Sequence, residues 1–153
     1  MQASVDFKRI GRTIKIFAVA QFGLVAMLVY MAILFQQKLR LIGRSHNFLQ
    51  AVIVTLVIQL ALFYPINKFA GKEVERDLAL TGTGLSKEEL KALTKKKRMA
   101  DVIKGAVLGF FGMFIAKAPG DPLVLSVLFF SFILTILTYL QCYNFAAKRL
   151  MKK

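Results

Sequence analysis

Histidine, cysteine, tryptophan and acidic side chains are the scarce residues of this sequence, and their scarcity removes whole classes of chemistry. Among 153 residues there is one histidine, His46, one cysteine, Cys142, and no tryptophan. A single histidine cannot supply two axial ligands to a haem and makes a histidine-rich metal site untenable. His46 also falls in a loop between apolar runs, so no Ser-His or Cys-His constellation is expected. A single cysteine excludes an intramolecular disulfide. Only 8 residues are Asp or Glu, and none falls inside the long apolar runs; Asp101 and Asp121 border the third. Proton-coupled transporters generally need a buried carboxylate or histidine relay. The pattern therefore argues against a small drug–proton antiporter, intramembrane proteolysis and metal-dependent headgroup transfer. No catalytic, cofactor-binding or metal-binding residue is expected, and the chain does not read as an enzyme.

What the chain has in abundance is apolar sequence, in blocks. Ile16 to Phe35, Phe48 to Ile66, Val102 to Ala116 and Leu123 to Phe145 are almost free of ionisable residues. A bilayer accepts such segments as helices, because a helix satisfies its own backbone hydrogen bonds. The expected fold is all-α: a single polytopic membrane domain with spans of about 14–36, 47–66, 102–117 and 122–146 and a cytoplasmic helical hairpin at about 67–101, between helices 2 and 3. The first apolar core exceeds the roughly 7–15 residues of a cleaved signal core and lacks a small-x-small site after it, so a retained helix is expected.

Charge sets the expected orientation. Lys and Arg total 22, for a net charge of +14. Four precede the first run, nine lie between the second and third, and four follow the last (Lys148, Arg149, Lys152 and Lys153). Three lie in the first connection (Lys38, Arg40 and Arg44) and one, Lys117, in the third. The positive-inside rule then puts both termini in the cytoplasm. A basic N-terminal flank retained in this way suits a bacterial inner membrane. The cations read as topology determinants and not as a nucleic-acid surface. The run Lys95, Lys96, Lys97 and Arg98, beside the third span, is the expected contact for anionic phospholipid or a partner.

The second connection reads as two helical arms. Phe69, Val74 and Leu78 give the first an apolar edge, Thr81-Gly82-Thr83-Gly84 reads as a turn, and Ser86 with Glu89 has the spacing of a capping box. The acids Glu73, Glu75 and Asp77 on the first arm should face Lys91 and Lys95 to Arg98 on the second. Exposed pairs of this kind contribute only about 0–1 kcal/mol each.

Inside the spans, Gln21, Thr55 and Gln59 are the expected intramembrane polar groups, bonding between helices. Lys104, one turn into the third span, is expected to snorkel towards the cytoplasmic face. Gly105, Gly109 and Gly112 form a small-residue stripe expected to pack on the fourth or first span, with self-association as the sharper alternative. Two spans joined by a charged helical hairpin resemble, in organisation alone and without a sequence motif, the membrane-protein insertases. Three functions follow as expectations: an accessory or assembly subunit of a larger membrane complex, an oligomeric channel or transporter subunit, or an insertase-like biogenesis factor. The expected surroundings are a bilayer with anionic phospholipids and other membrane subunits or further copies of the chain.

Overall fold

A computed structural model describes residues 7–82 and 84–152; the expectations placed on Thr83 and Lys153 lie outside the described residues. Four α-helices follow one another: α1 (Phe7–Leu41), α2 (His46–Leu80), α3 (Lys87–Lys117) and α4 (Pro122–Met151). All four are long and apolar enough to cross a membrane, which marks an integral membrane protein. At 35 residues each, α1 and α2 reach about 52 Å, well beyond the roughly 30 Å of a hydrocarbon core. The helices therefore have to project past it on at least one side.

Local sequence explains each turn. After Leu41, Gly43 adopts a left-handed φ of 73° that side-chain-bearing residues rarely take. This returns the chain so that the Arg44 N–H donates to the Leu39 carbonyl at 2.8 Å. Pro65 lies inside α2, which runs through it and loses one backbone donor there. The second turn depends on Gly84, with φ 110°, and then on a reciprocal cap. Ser86 Oγ accepts from the Glu89 N–H at 3.2 Å, and Glu89 Oε2 accepts from the Ser86 N–H at 2.9 Å. The last turn ends at Asp121, whose carboxylate accepts from the Leu123 N–H at 2.8 Å, with Pro122 opening α4.

The helix α4 is the centre of the molecule. It packs along α2 and α1, while α3 touches α2 and α4 only lightly and α1 and α3 do not touch among the described residues. Helices α1 and α4 begin and end the chain at one end of the bundle, together with the 81–86 turn; this is called the terminal end below. There Ile10, Ala70, Val74, Cys142, Tyr143 and Ala147 form the buried cluster. At the opposite end Phe130 meets Phe35 and Phe48 edge-on, at 5.9 and 6.3 Å between ring centroids. Aromatic pairs of this geometry contribute about 0.5–1.5 kcal/mol beyond area burial.

Elsewhere the apolar surface faces outward. None of the most apolar window of α1 is buried, against 33% of that of α4. Phe22, Leu60 and Val102 are among the exposed side chains. In water this surface would drive aggregation; in lipid it needs no cover, and helix association rests on packing and hydrogen bonds instead.

Candidate functional site

Three helices bring matched stripes of side chains together at the terminal end. Glu73 and Asp77 are one turn apart on α2, Tyr139 and Tyr143 one turn apart on α4, and Lys97, Asp101 and Lys104 recur at helical spacing along α3. The Glu73 side chain is only 5% exposed. A carboxylate so far from solvent requires partners, and it has three. Lys104 Nζ donates to Oε1 at 2.6 Å, the Tyr139 hydroxyl donates to Oε2 at 2.6 Å, and Arg76 lies 3.6 Å away. Lys104 also reaches Asp101 at 2.9 Å and sits 5.7 Å from the centre of the Tyr139 ring. One turn further along, the Tyr143 hydroxyl donates to Asp77 at 2.8 Å and Lys97 lies 3.8 Å from the same carboxylate. Arg76 closes the group by donating to the Lys96 carbonyl at 3.0 Å. These contacts form a charged clasp that ties α3, otherwise lightly packed, to α2 and α4.

The clasp adds detail to three expectations. Lys104 reaches towards the terminal end, where Asp101 lies one turn earlier on α3, and it is half-buried and paired there because Glu73 offers it a full charge within reach. The pairs between the arms are not all exposed, since Glu73 is buried on the α2 face towards α4. The basic run is split: Lys97 turns inward to Asp77, whereas Lys95, Lys96 and Arg98 stay exposed. Glu75 and Lys91 are exposed and enter no ion pair among the described residues.

The glycine stripe meets no neighbour within the described chain. Gly105, Gly109 and Gly112 are exposed, and a Cβ built on any of them meets nothing within 4 Å. They pack on neither α4 nor α1 within the chain; α3 meets α4 through another face, where the Phe111 and Phe132 rings lie 5.5 Å apart between centroids.

The polar groups of the spans divide in two. Gln59 crosses from α2 to α4, donating to the Thr138 hydroxyl at 2.6 Å and the Leu134 carbonyl at 3.3 Å. Gln21 on α1 meets Gln141 and Asn144 on α4, each at 3.5 Å. Thr55 instead turns back on its own helix, donating to the Ala51 carbonyl at 2.7 Å, and Ser126 does the same to Leu123. Buried threonine in a helix has this near acceptor always at hand. Cys142 is buried in the apolar cluster. At the opposite end Arg44 lies 3.7 Å from Asp121, so one cation of the first connection finds its acid within the chain.

Because α1 and α3 stand apart, a cleft of about 450 Å³ opens between them above the clasp. Its walls include Arg9 and Phe17 from α1 and Leu90 and Lys97 from α3; Glu73, Asp77, Tyr139 and Tyr143 form its floor. Although three carboxylates border it, no group of three or more metal-ligating side chains assembles among the described residues. Compared with family models, with curated proteins and with solved structures, the chain matches none.

Proposed function

We propose that this protein is a non-catalytic integral membrane subunit that docks on a larger membrane complex, with its termini and the 81–86 turn in the cytoplasm. The observation that carries the reading is the open side of α3. Gly105, Gly109 and Gly112 lie bare along that helix, with Val102 and Met113 exposed beside them. Lipid chains gain nothing from a glycine stripe, whereas a second helix gains close backbone approach there. A helix held to the bundle on one face and bare on its glycine face is suited to receive a partner span. The exposed cations Lys95, Lys96 and Arg98, next to that span, suit anionic phospholipid headgroups on the same side. The excess of Lys and Arg at the terminal end supports the cytoplasmic orientation, and a bacterial inner membrane is the setting it fits.

Particle mass in mild detergent tests this reading. Other membrane proteins are expected to co-migrate with the 17.2 kDa chain and to be lost from Gly109→Leu, in which nothing inside the chain obstructs the new side chain. A homo-oligomer that conducts ions in liposomes would contradict it in favour of a channel. The lateral gap between α1 and α3, with Gln21, Gln141 and Asn144 bonded between α1 and α4 towards the terminal end, favours an insertase-like role as the second reading. Crosslinking of nascent membrane segments to α1 would distinguish it.

A further inference from the structure

The open side of α3 does not end with its glycines; towards the terminal end it continues as a row of charge. Lys87, Lys91, Lys95 and Arg98 follow one another in steps of three or four residues, and the same steps carry the row through Val102 into the glycine stripe. All four cations are exposed, and none enters an ion pair among the described residues. They lie on the side of α3 away from Ala100, Lys104 and Phe111, which face the bundle. Steps of this kind keep a near-parallel neighbour in contact along a helix. Like charges four residues apart destabilise a helix. The row holds two such pairs, Lys87 with Lys91 and Lys91 with Lys95, and no acid interrupts it. Acids on a neighbouring surface would offset that repulsion.

The bilayer surface covers only part of the row. Measured along the helix from Val102, where the apolar run begins, Arg98 and Lys95 lie about 6 and 10 Å out, and Lys91 and Lys87 about 16 and 22 Å. A headgroup layer is roughly 5–8 Å thick, and charge is screened beyond about 8 Å at physiological salt. Headgroups reach the first two cations; the other two need a different anion. A second copy does not supply it. Charge bias gives all copies one orientation, so two α3 helices meeting on this face run parallel and set each cation against its own counterpart. A nucleic acid would meet the cations but could not continue into the glycine stripe. We propose that the occupant of this face is a membrane helix of another protein that continues into the cytoplasm as an acidic helix, with Asp or Glu at matching steps opposite Lys87, Lys91, Lys95 and Arg98. The assignment rests on the docking reading above and adds the partner's chemistry to it.

A photocrosslinker at position 91 of the full chain in cells tests that chemistry. The expected product is a peptide of a different membrane protein, next to one of its apolar spans and carrying acids at three- and four-residue steps. A product with RNA, with lipid or with this chain itself overturns the proposal; so does a peptide without the acids, or no product. Lys87→Glu combined with Lys91→Glu is the matching variant. Both side chains are exposed and unpaired, so the fold does not depend on them, and Lys95 to Arg98 remain to hold the orientation. Recovery of the co-migrating partner in mild detergent should fall roughly tenfold, because two attractions become repulsions. Lysine in place of the two facing partner acids should restore it. Recovery equal to wild type overturns the proposal. Loss of the partner from Gly109→Leu with full recovery in the charge variant sinks the acidic partner and leaves docking intact; a wild-type chain that migrates alone sinks docking itself, and this proposal with it.

Discussion

Lys104 Nζ lies 2.6 Å from Glu73 Oε1, a contact between residues 31 apart in sequence and on two different helices. It joins α3 to the rest of the bundle at a point where few apolar side chains do so. Burying two charges costs desolvation energy that their attraction repays only with good geometry and further hydrogen bonds. Tyr139 and Asp101 supply those bonds.

The clasp should behave as a unit. Glu73→Gln or Lys104→Met alone strands a buried or half-buried charge and should cost about 3–5 kcal/mol. The double variant should cost less than the sum of the two. Thermal unfolding in detergent of the wild type, both singles and the double gives the coupling; additive losses would mean that the pair is not energetically linked.

The two polar residues of the α2 span should respond differently. Gln59 bonds across to Thr138, so Gln59→Leu should lose about 0.6–2 kcal/mol. Thr55 bonds only to its own helix, so Thr55→Val, nearly equal in shape, should cost less. Steric-trap unfolding in bicelles measures both, and equal losses would contradict the assignment of partners.

At the start of α3 the capping box is solvent-exposed and should act locally. Ser86→Ala removes the acceptor of the Glu89 N–H and should cost about 0.5–2 kcal/mol of helix stability. Hydrogen exchange should accelerate in the first turn of α3 and stay unchanged at the Lys104 clasp. Acceleration along the whole helix would show that the cap, and not the clasp, holds α3 in place.

Much of the architecture was legible in the sequence because bilayer thickness and backbone hydrogen bonding translate apolar run length directly into helices. The Ser86–Glu89 cap was legible for a similar reason: it is a local pattern with a local cause. The clasp was legible only in part. Acids on α2 and bases on α3 indicated pairing, but the register depends on the 81–86 connection. Asp77, three residues before the end of α2, meets Lys97, ten residues after the start of α3. That offset of seven residues, about 10 Å of helix rise, sets Asp101 level with Glu73, so that Lys104 reaches back one turn to both, and leaves Lys91 without an acid. Nothing local in the sequence sets it. The bond of Tyr139 to Glu73 depends on which face of α4 meets α2, which no local pattern states. The glycine stripe was legible as a pattern but not as a contact: small residues state that a close approach is allowed, not that a neighbour within the chain makes it.

The reading as a whole depends on four helices crossing a bilayer with the terminal end in the cytoplasm, and cysteine accessibility in intact cells tests this most directly. With Cys142 replaced by alanine, single cysteines at Ser45, Lys87 and Lys152 are treated with a membrane-impermeant maleimide before and after permeabilisation. All three positions are exposed in the structure. The account predicts that Ser45→Cys reacts in intact cells, and that Lys87→Cys and Lys152→Cys react only once the membrane is opened. Reaction of Lys87→Cys or Lys152→Cys in intact cells, with Ser45→Cys protected, would contradict the orientation; reaction of all three after release of the protein into a membrane-free supernatant would contradict the membrane assignment itself.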